Sequence, residues 1–398
     1  MISRFPQFVL AAAVAFTLFS LSVLFSSESV GQSIRTSGSK SPASHKTHGN
    51  ETHDNETQDA SASSSFEKVF VLNLPERTDK LDLFALASSV TGFAFNVIKG
   101  VKGAEINNKS LPTLNGAPTS DNPDKEGIIG CWRAHMDAAQ AIIRDRLSTV
   151  LILEDDADWD THLKDQLELF AQGSQFVTGT PRGKTPHSPY GDDWDLLWLG
   201  HCGTGISDES ERRFVIENDF TVPPTEGRLN YAGVPDLEKD GYDKRTRIVF
   251  PANWGVCMYA YALSYHGAQK LLRSQSTLQS LQPIDLAIGG MCGDEFKCIG
   301  VFPQLFDTHK AAGRVGRDSD MRTPSEGEHR DKSFTANIVH STKLNLDLLL
   351  KDASAKPERQ WPEDSKVVGP PRTKLIGQEV GQATGSDRWK SSKTYHNE

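Results

Sequence analysis

The sequence predicts an α/β domain with a parallel sheet, and three observations predict it. Strand-like and helix-like segments alternate from Lys68 to Leu153, the order that builds a parallel sheet with right-handed crossovers. The aliphatic run Val150 to Leu153 is unbroken, as a strand buried on both faces requires. It ends in Glu154, Asp155 and Asp156, and open α/β sheets bind ligands at the carboxyl ends of their strands.

The elements follow in order from Phe66. Lys68 to Leu74 reads as a strand stopped by Pro75, because proline cannot continue a ladder. A helix is expected from about Asp79 to Val90 and a second strand from Phe93 to Ile98. Lys99 to Lys125, rich in Asn, Pro, Gly and Asp, reads as a loop. Apolar residues then recur at Ile128, Trp132, Met136, Ala139 and Ile143. That is helical spacing over Ile128 to Leu147, and it assigns Trp132 to the core.

Farther on, Asp195 to Leu199 is a strand closed by Gly200. Ser207 to Arg247 is too polar for a core and reads as a charged, lid-like excursion. Val256 to Leu263 reads as one strand, and Ser264 caps a helix over His266 to Arg273. Pro283-Ile284-Asp285 opens another helix, and Lys297 to Phe302 is a late strand. Residues 351–398 are polar and read as a tail.

Composition bounds the function. A net charge of -9 without a basic block excludes a general nucleic-acid binder. The hydrophobic share of 37% is low for a globular chain and implies unfolded segments. Phe8 to Phe25 carries no charge and lies behind Arg4. As a helix it would reach about 27 Å, which suits a signal anchor over residues 1–25 better than a cleaved leader. Arg4 and the free amine then favour a cytosolic N-terminus and a lumenal remainder.

Residues 26–65, dominated by Ser, Thr, Gly, His and Asn, read as a disordered stem. Glycosylation sequons stand at Asn50, Asn55 and Asn108, and His45, His48 and His53 read as polar filler. The chain ends Tyr395-His396-Asn397-Glu398, which is not an ER-retrieval tetrapeptide. A Golgi or other secretory-pathway membrane protein of single-pass type II is therefore expected.

Five cysteines, Cys131, Cys202, Cys257, Cys292 and Cys298, leave at least one thiol unpaired within the chain. Cys292 and Cys298 are close enough to pair, while Cys131 and Cys257 sit among apolar neighbours that suggest core packing. The spacings match no zinc pattern.

Three consecutive carboxylates repel one another unless a cation neutralises them, and oxygen-rich sites suit Mg2+ or Mn2+. The competing reading is a solvated acidic loop that caps the next helix.

With these pieces in hand, the chain resembles the glycosyltransferase family 25 domain. The resemblance is carried by Val71 to Lys80, Gly130-Cys131-Trp132-Arg133-Ala134-His135 and Val150 to Asp156. Trp194 to Gly200, Ala260 to Ser264, Gly267 to Leu272 and Pro283-Ile284-Asp285 extend it, in family order, over about Phe66 to Met321. Arg133-Ala134-His135 departs from the family's usual Ser-His, and Gly173 to Gly191 reads as an insertion.

The resemblance implies a GT-A-like, Rossmann-type nucleotide-sugar-binding domain over 66–350. It also implies inverting transfer of a sugar, galactose in this family, from a UDP-sugar to a glycan, glycoprotein or glycolipid hydroxyl. Asp156, with Glu154, would hold Mn2+ or Mg2+ as the Lewis acid for diphosphate departure. Asn73, Arg77, Glu154, Asp155 and His135 would contact the donor, with the Arg77 guanidinium suited to the diphosphate.

Asp285 is the first choice of base for the acceptor hydroxyl, with Asp294 and Glu295 behind it. For Asp285 the structural alternative is a first-turn helix residue; for His135, a packed core histidine. His309 and Arg314, in the late Phe306 to Arg317 segment, could close over the diphosphate, although Gly313 and Gly316 mark that stretch as an ordinary loop. Two other functions stay open: a non-catalytic sugar-nucleotide binder, and a metal-dependent phosphoesterase using the same carboxylates.

Overall fold

The computed structural model describes residues 66–111, 124–230, 233–277, 282–321, 327–362, 369–377 and 395–396. The expected anchor, the stem and the sequons at Asn50 and Asn55 lie outside these residues. No helix among the described residues is long and apolar enough to cross a membrane.

The expected strand–helix alternation forms. Strand β1 (Lys68–Asn73) leads into α1 (Thr78–Thr91), β2 (Asn96–Lys99), α2 (Lys125–Asp145) and β3 (Thr149–Glu154). Helix α1 ends at Gly92 in the left-handed conformation (φ 71°), which glycine adopts without a Cβ penalty. A short β4 (Ala157–Trp159) precedes α3 (Leu163–Thr178). Strands β5 (Leu196–Gly200), β6 (Gly203–Ile206), β7 (Arg213–Glu217), β8 (Arg247–Val256) and β9 (Ala260–Ser264) follow.

Helices α4 (Tyr265–Thr277) and α5 (Ile284–Gly289) precede β10 (Cys298–Phe302) and β11 (Phe306–Lys310). The remaining elements are β12 (Gly313–Arg314), β13 (His329–Arg330), β14 (Phe334–Thr335), α6 (Leu346–Leu349), β15 (Arg372–Ile376) and β16 (Tyr395–His396).

The main sheet runs β16-β15-β7-β8-β10-β5-β9-β3-β1-β2, with β6 added on β8. Its side chains alternate between two cores. Val150 and Ile152 of β3 join Trp132, Ile142 and Leu271 on one face, while Leu151 and Leu153 join Phe84, Trp159 and Phe170 on the other. A buried strand with helices on both faces needs apolar residues at every position. The run Val150 to Leu153 meets that need.

The sheet is mixed, not parallel throughout as the alternation predicted. β1 pairs in parallel with β2 and β3, and β10 with β5. β9 runs antiparallel between β3 and β5. The expected strand Val256 to Leu263 is in fact broken: Cys257 has φ 61°, so β8 ends at Val256 and β9 begins at Ala260. Cys257 is also not simply packed in the core, because it is disulfide-bonded to Cys202. The expected Cys292–Cys298 pair is present, and Cys131 is free.

Two polar segments are more structured than their composition implies. The excursion 207–247 contributes β7, whose Phe214, Val215 and Ile216 are buried. It also supplies Asp219, which pairs at 2.7 Å with Arg247, a side chain only 2% exposed. Arg247 further donates to the carbonyls of Pro303, Gln304 and Thr221 and to Thr221 Oγ1.

Residues beyond 350, expected as a tail, add β15 antiparallel to β7. Gln360 Nε2 and Trp361 Nε1 both donate to the Ile338 carbonyl. Polar residues enter the fold here through backbone pairing and satisfied side-chain bonds, which hydrophobic patterning does not register. Gly173 to Gly191 begins in the last turns of α3, where a Cβ on Gly173 would lie 2.8 Å from Val249 Cγ2.

Removing one member of a buried ion pair strands the other charge, at about 3–5 kcal/mol. Arg247→Met is therefore expected to lower unfolding free energy by about that amount. Urea denaturation of the two proteins measures it.

Candidate active site at the carboxyl end of the sheet

The chain leaves β1 toward β2 on one side and returns through α2 to β3 on the other. Such a reversal opens a crevice at the strands' carboxyl ends. The parallel register sets Leu72 beside Glu154, so Asn73 arrives next to the acidic run. Its Nδ2 donates to Asp155 Oδ2 at 2.8 Å and to the Arg77 carbonyl at 3.1 Å.

Lys80, in the first turn of α1, reaches into the carboxylates. Its Nζ lies 3.3 Å from Asp155 Oδ1, 3.4 Å from Asp156 Oδ2 and 2.8 Å from Asp320 Oδ2. Burial alone would lower the Lys80 pKa, but Asp156 and Asp155 outweigh it and keep the ammonium charged. Burial, with Asp156 and Asp155 beside it, pushes Glu154 up. Asp155 is also raised by burial and by Asp156, against Lys80 and the Asn73 bond. Burial works the same way on Asp156, yet Lys80, Lys310 and Lys343 prevail and hold it below the usual range. Of the three, Asp156 alone is held below the usual carboxylate range.

Two lobes meet at this acidic strand end. A cleft of about 400 Å³ lies over the ends of β1 and β2, lined in part by Asn73, Lys80, Gly100 and Asp155. A second of about 660 Å³ is lined by Tyr259, Asp285, Thr308 and Lys310 among others. Cys131, His135, Glu154, Asp156, Ser319 and Met321 line both. The lobes depend on glycines where α2 meets its surroundings. A Cβ on Gly127 would fall 2.0 Å from the Met321 carbonyl oxygen, and one on Gly130 2.6 Å from that of Val101.

Most of the expected site residues converge here. Asp285 lines the second lobe, with Oδ2 accepting from Cys257 N and Oδ1 from Leu286 N, each at 2.9 Å. His135 is buried, its Nδ1 2.8 Å from Tyr261 Oη and its Nε2 4.0 Å from Glu154 Oε1. Burial pushes its pKa down to about 4, so the imidazole is neutral and does not pair with Glu154 as a cation. Arg77 is committed to Asp79, to Asp320 and to the Arg317 carbonyl at the cleft rim.

The other candidates sit elsewhere. Asp294 and Glu295 are exposed in the turn before β10, where the Glu295 carboxylate lies 3.6 Å from Arg273 and its carbonyl accepts from Lys270 Nζ at 3.0 Å. Strands β3, β5 and β10 point the same way, so that turn lies at the opposite end of the sheet from the acidic run. His309 is tied to the site through its backbone: its N–H donates to the Asp156 carbonyl at 2.8 Å and its Nδ1 lies 3.1 Å from Thr335 Oγ1. Arg314 is exposed on β12.

Sequence reasoning missed Lys80, Asp320 and Lys310. Lys80 had a local signal, since it stands three residues after Arg77 and so shares its helical face. Asp320 had none, being 240 positions from its partner Lys80.

The donor set fits a hard divalent cation. Asp156 Oδ1 is buried and has no hydrogen-bond partner, which is costly unless something positive meets it. Glu154 and Asp156 both line the two lobes and offer carboxylate oxygens, the ligand type that Mg2+ and Mn2+ prefer.

Fold and cleft together define a mixed α/β protein of the Rossmann-like glycosyltransferase kind. Residues 66–184 match the model of glycosyltransferase family 25 (LPS biosynthesis protein), so this stretch is similar to that family. Similar proteins include bovine "Probable inactive glycosyltransferase 25 family member 3", 26% identical over 61% of this chain and 32% of its own length. Zebrafish procollagen galactosyltransferase 1 is 23% identical over 55% of this chain and 30% of its own length. Human procollagen galactosyltransferase 2 is 22% identical over 78% of this chain and 46% of its own. The chain thus spans less than half the length of each of these relatives.

Unfolded histidine takes up a proton near pH 6.5, whereas folded His135 does so only near 4. Its contribution to stability is present above about pH 6.5 and is lost as pH falls toward 4. His135→Gln is therefore expected to flatten the fall of the urea midpoint between pH 6.5 and 4. Imidazole NMR of the folded protein should find His135 neutral at pH 6.

Proposed function

We propose that the domain is a glycosyltransferase that moves galactose from a UDP-sugar to a hydroxyl of a glycan, glycoprotein or glycolipid, with inversion and metal assistance. One observation carries the reading. The strand-end carboxylates, with the unpartnered Asp156 oxygen, open onto the same lobe as Asp285. A leaving-group site and a proton acceptor therefore share one cleft. The choice of galactose follows the printed names of the procollagen galactosyltransferases.

In this reading the nucleotide occupies the lobe over β1 and β2. Lys80 and Arg77 face the diphosphate and give up their contacts to Asp320 for it. Asn73 keeps Asp155 oriented through its 2.8 Å bond. Asp156 and Glu154 would hold Mn2+ or Mg2+, which would supply Lewis acidity against the charge of the departing diphosphate. Asp285 takes the acceptor hydroxyl proton. The hydroxyl oxygen bonds to the anomeric carbon from the face opposite the breaking carbon–oxygen bond, and UDP leaves with that electron pair. The two backbone N–H bonds on Asp285 fix its carboxylate for this role.

The disulfides Cys202–Cys257 and Cys292–Cys298 support an oxidising compartment. With the apolar segment 8–25 they favour a single-pass type II protein of the Golgi or another secretory membrane, its catalytic domain lumenal.

A panel of UDP-sugars assayed for UDP release with Mn2+, Mg2+ or chelator tests the proposal. Metal-dependent turnover is expected with UDP-galactose. Asp285→Asn should lower kcat by about 100-fold or more with little change in donor KM, while Asp156→Asn should remove the metal dependence along with turnover. A wild type that binds UDP-sugars but neither hydrolyses nor transfers them would establish a binding-only protein, as the name of the bovine relative implies for that protein. Release of inorganic phosphate from simple esters would instead indicate a phosphoesterase.

A further inference from the structure

A second cluster of ligand-type side chains lies outside both lobes. Asp160, directly after β4, is fully buried. Its Oδ1 accepts from the His162 backbone N–H at 3.0 Å and lies 2.9 Å from His162 Nδ1. Its Oδ2 accepts from the His340 backbone N–H at 2.8 Å and lies 3.3 Å from His340 Nδ1. One ligand atom from each of the three residues falls within 4.8 Å of the others. The two imidazole rings meet edge to face at 5.0 Å, and Phe220 packs on both. None of the three residues lines the cleft.

We propose that Asp160, His162 and His340 form a second metal site, which takes zinc or a cation of similar borderline character. Two imidazole nitrogens and one carboxylate oxygen match zinc's preferred ligands, whereas the all-carboxylate cleft suits harder ions. The surroundings favour a cation as well. Among the described residues no lysine or arginine pairs with the buried Asp160 carboxylate, whose side-chain partners are these two histidines. A buried carboxylate gains most from a full positive charge placed against it.

The site is also reachable. The His162 side chain is 30% exposed, against 7% for His340 and 0% for Asp160, so the cluster meets the surface through His162. Thr161 Oγ1 lies 3.3 Å from His162 Nδ1 as a further oxygen beside the cluster.

The consequence is structural. Asp160 and His340 are 180 positions apart, and backbone bonds already run between their segments, from Thr161 N to the His340 carbonyl and from Thr342 N to that of Trp159. A metal bridging them would clamp the C-terminal segment to the strand that follows the acidic run. Ligand binding to the folded state alone raises apparent stability.

The test uses the full chain, stripped of metal, in an Asp156→Asn background that weakens the cleft as a competing site. Calorimetric titration with zinc chloride and thermal melts with and without zinc provide two readouts, and Co2+ substitution adds visible absorption bands. One zinc equivalent per chain is expected, with a rise in Tm. His162→Gln, at a partly exposed position, and His340→Gln should each remove that equivalent or weaken it at least tenfold, and abolish the Tm rise. Circular dichroism shows whether each variant is folded, and His162→Gln alone suffices should His340→Gln fail to fold. Zinc uptake and Tm rise unchanged in folded His162→Gln, or no uptake by the parent, overturn the proposal.

Discussion

Three carboxylates crowded at the end of one strand repel one another, and the surrounding architecture makes that arrangement tolerable. Lys80 brings an ammonium within 3.4 Å of both Asp155 and Asp156, and Asn73 donates to Asp155. Lys310 and Lys343 contribute more distant charge. These groups do not share the repulsion evenly: Glu154 and Asp155 are pushed toward protonation while Asp156 stays ionised. Carboxylates made unequal in this way are a different chemical object from three equal ones, and Asp156 offers a cation the most firmly ionised of them.

That arrangement depends on the two halves of the sheet meeting in a fixed register. β1 and β3 pair in parallel with Leu72 beside Glu154, so the Asn73 amide and the carboxylates share one edge. β9 then crosses antiparallel, and the break at Cys257 turns the chain so that Cys257 N–H can hold Asp285 at the second lobe. The Cys202–Cys257 disulfide anchors the same turn. The lobe carrying Asp285 thus combines residues C-terminal to the family-matched segment 66–184 with Cys131, His135, Glu154 and Asp156 from within it.

Legibility in the sequence divides along the same line. The β1-to-β3 alternation, the helix through Trp132 and the acidic strand end were readable, because each is coded by local periodicity and local residue type. Asp285, as the first-turn residue of α5, was readable as a candidate, and the structure brings it to the cleft. Asp294 and Glu295 were equally plausible by composition and lie at the other end of the sheet. Nothing local separates them, since strand direction decides which end a turn occupies. Lys80 carried a weak helical signal and Asp320 none.

The sequence by itself determined the elements whose side-chain pattern is dictated by burial: the strand Val150 to Leu153, the amphipathic α2 and the carboxylates that end β3. Tertiary structure alone decided that β9 runs antiparallel, that residues 372–376 complete the sheet beside β7, and which carboxylate is the most firmly ionised. Those outcomes come from hydrogen bonding and electrostatics between residues far apart in the chain. Their energies depend on distances that no local pattern records.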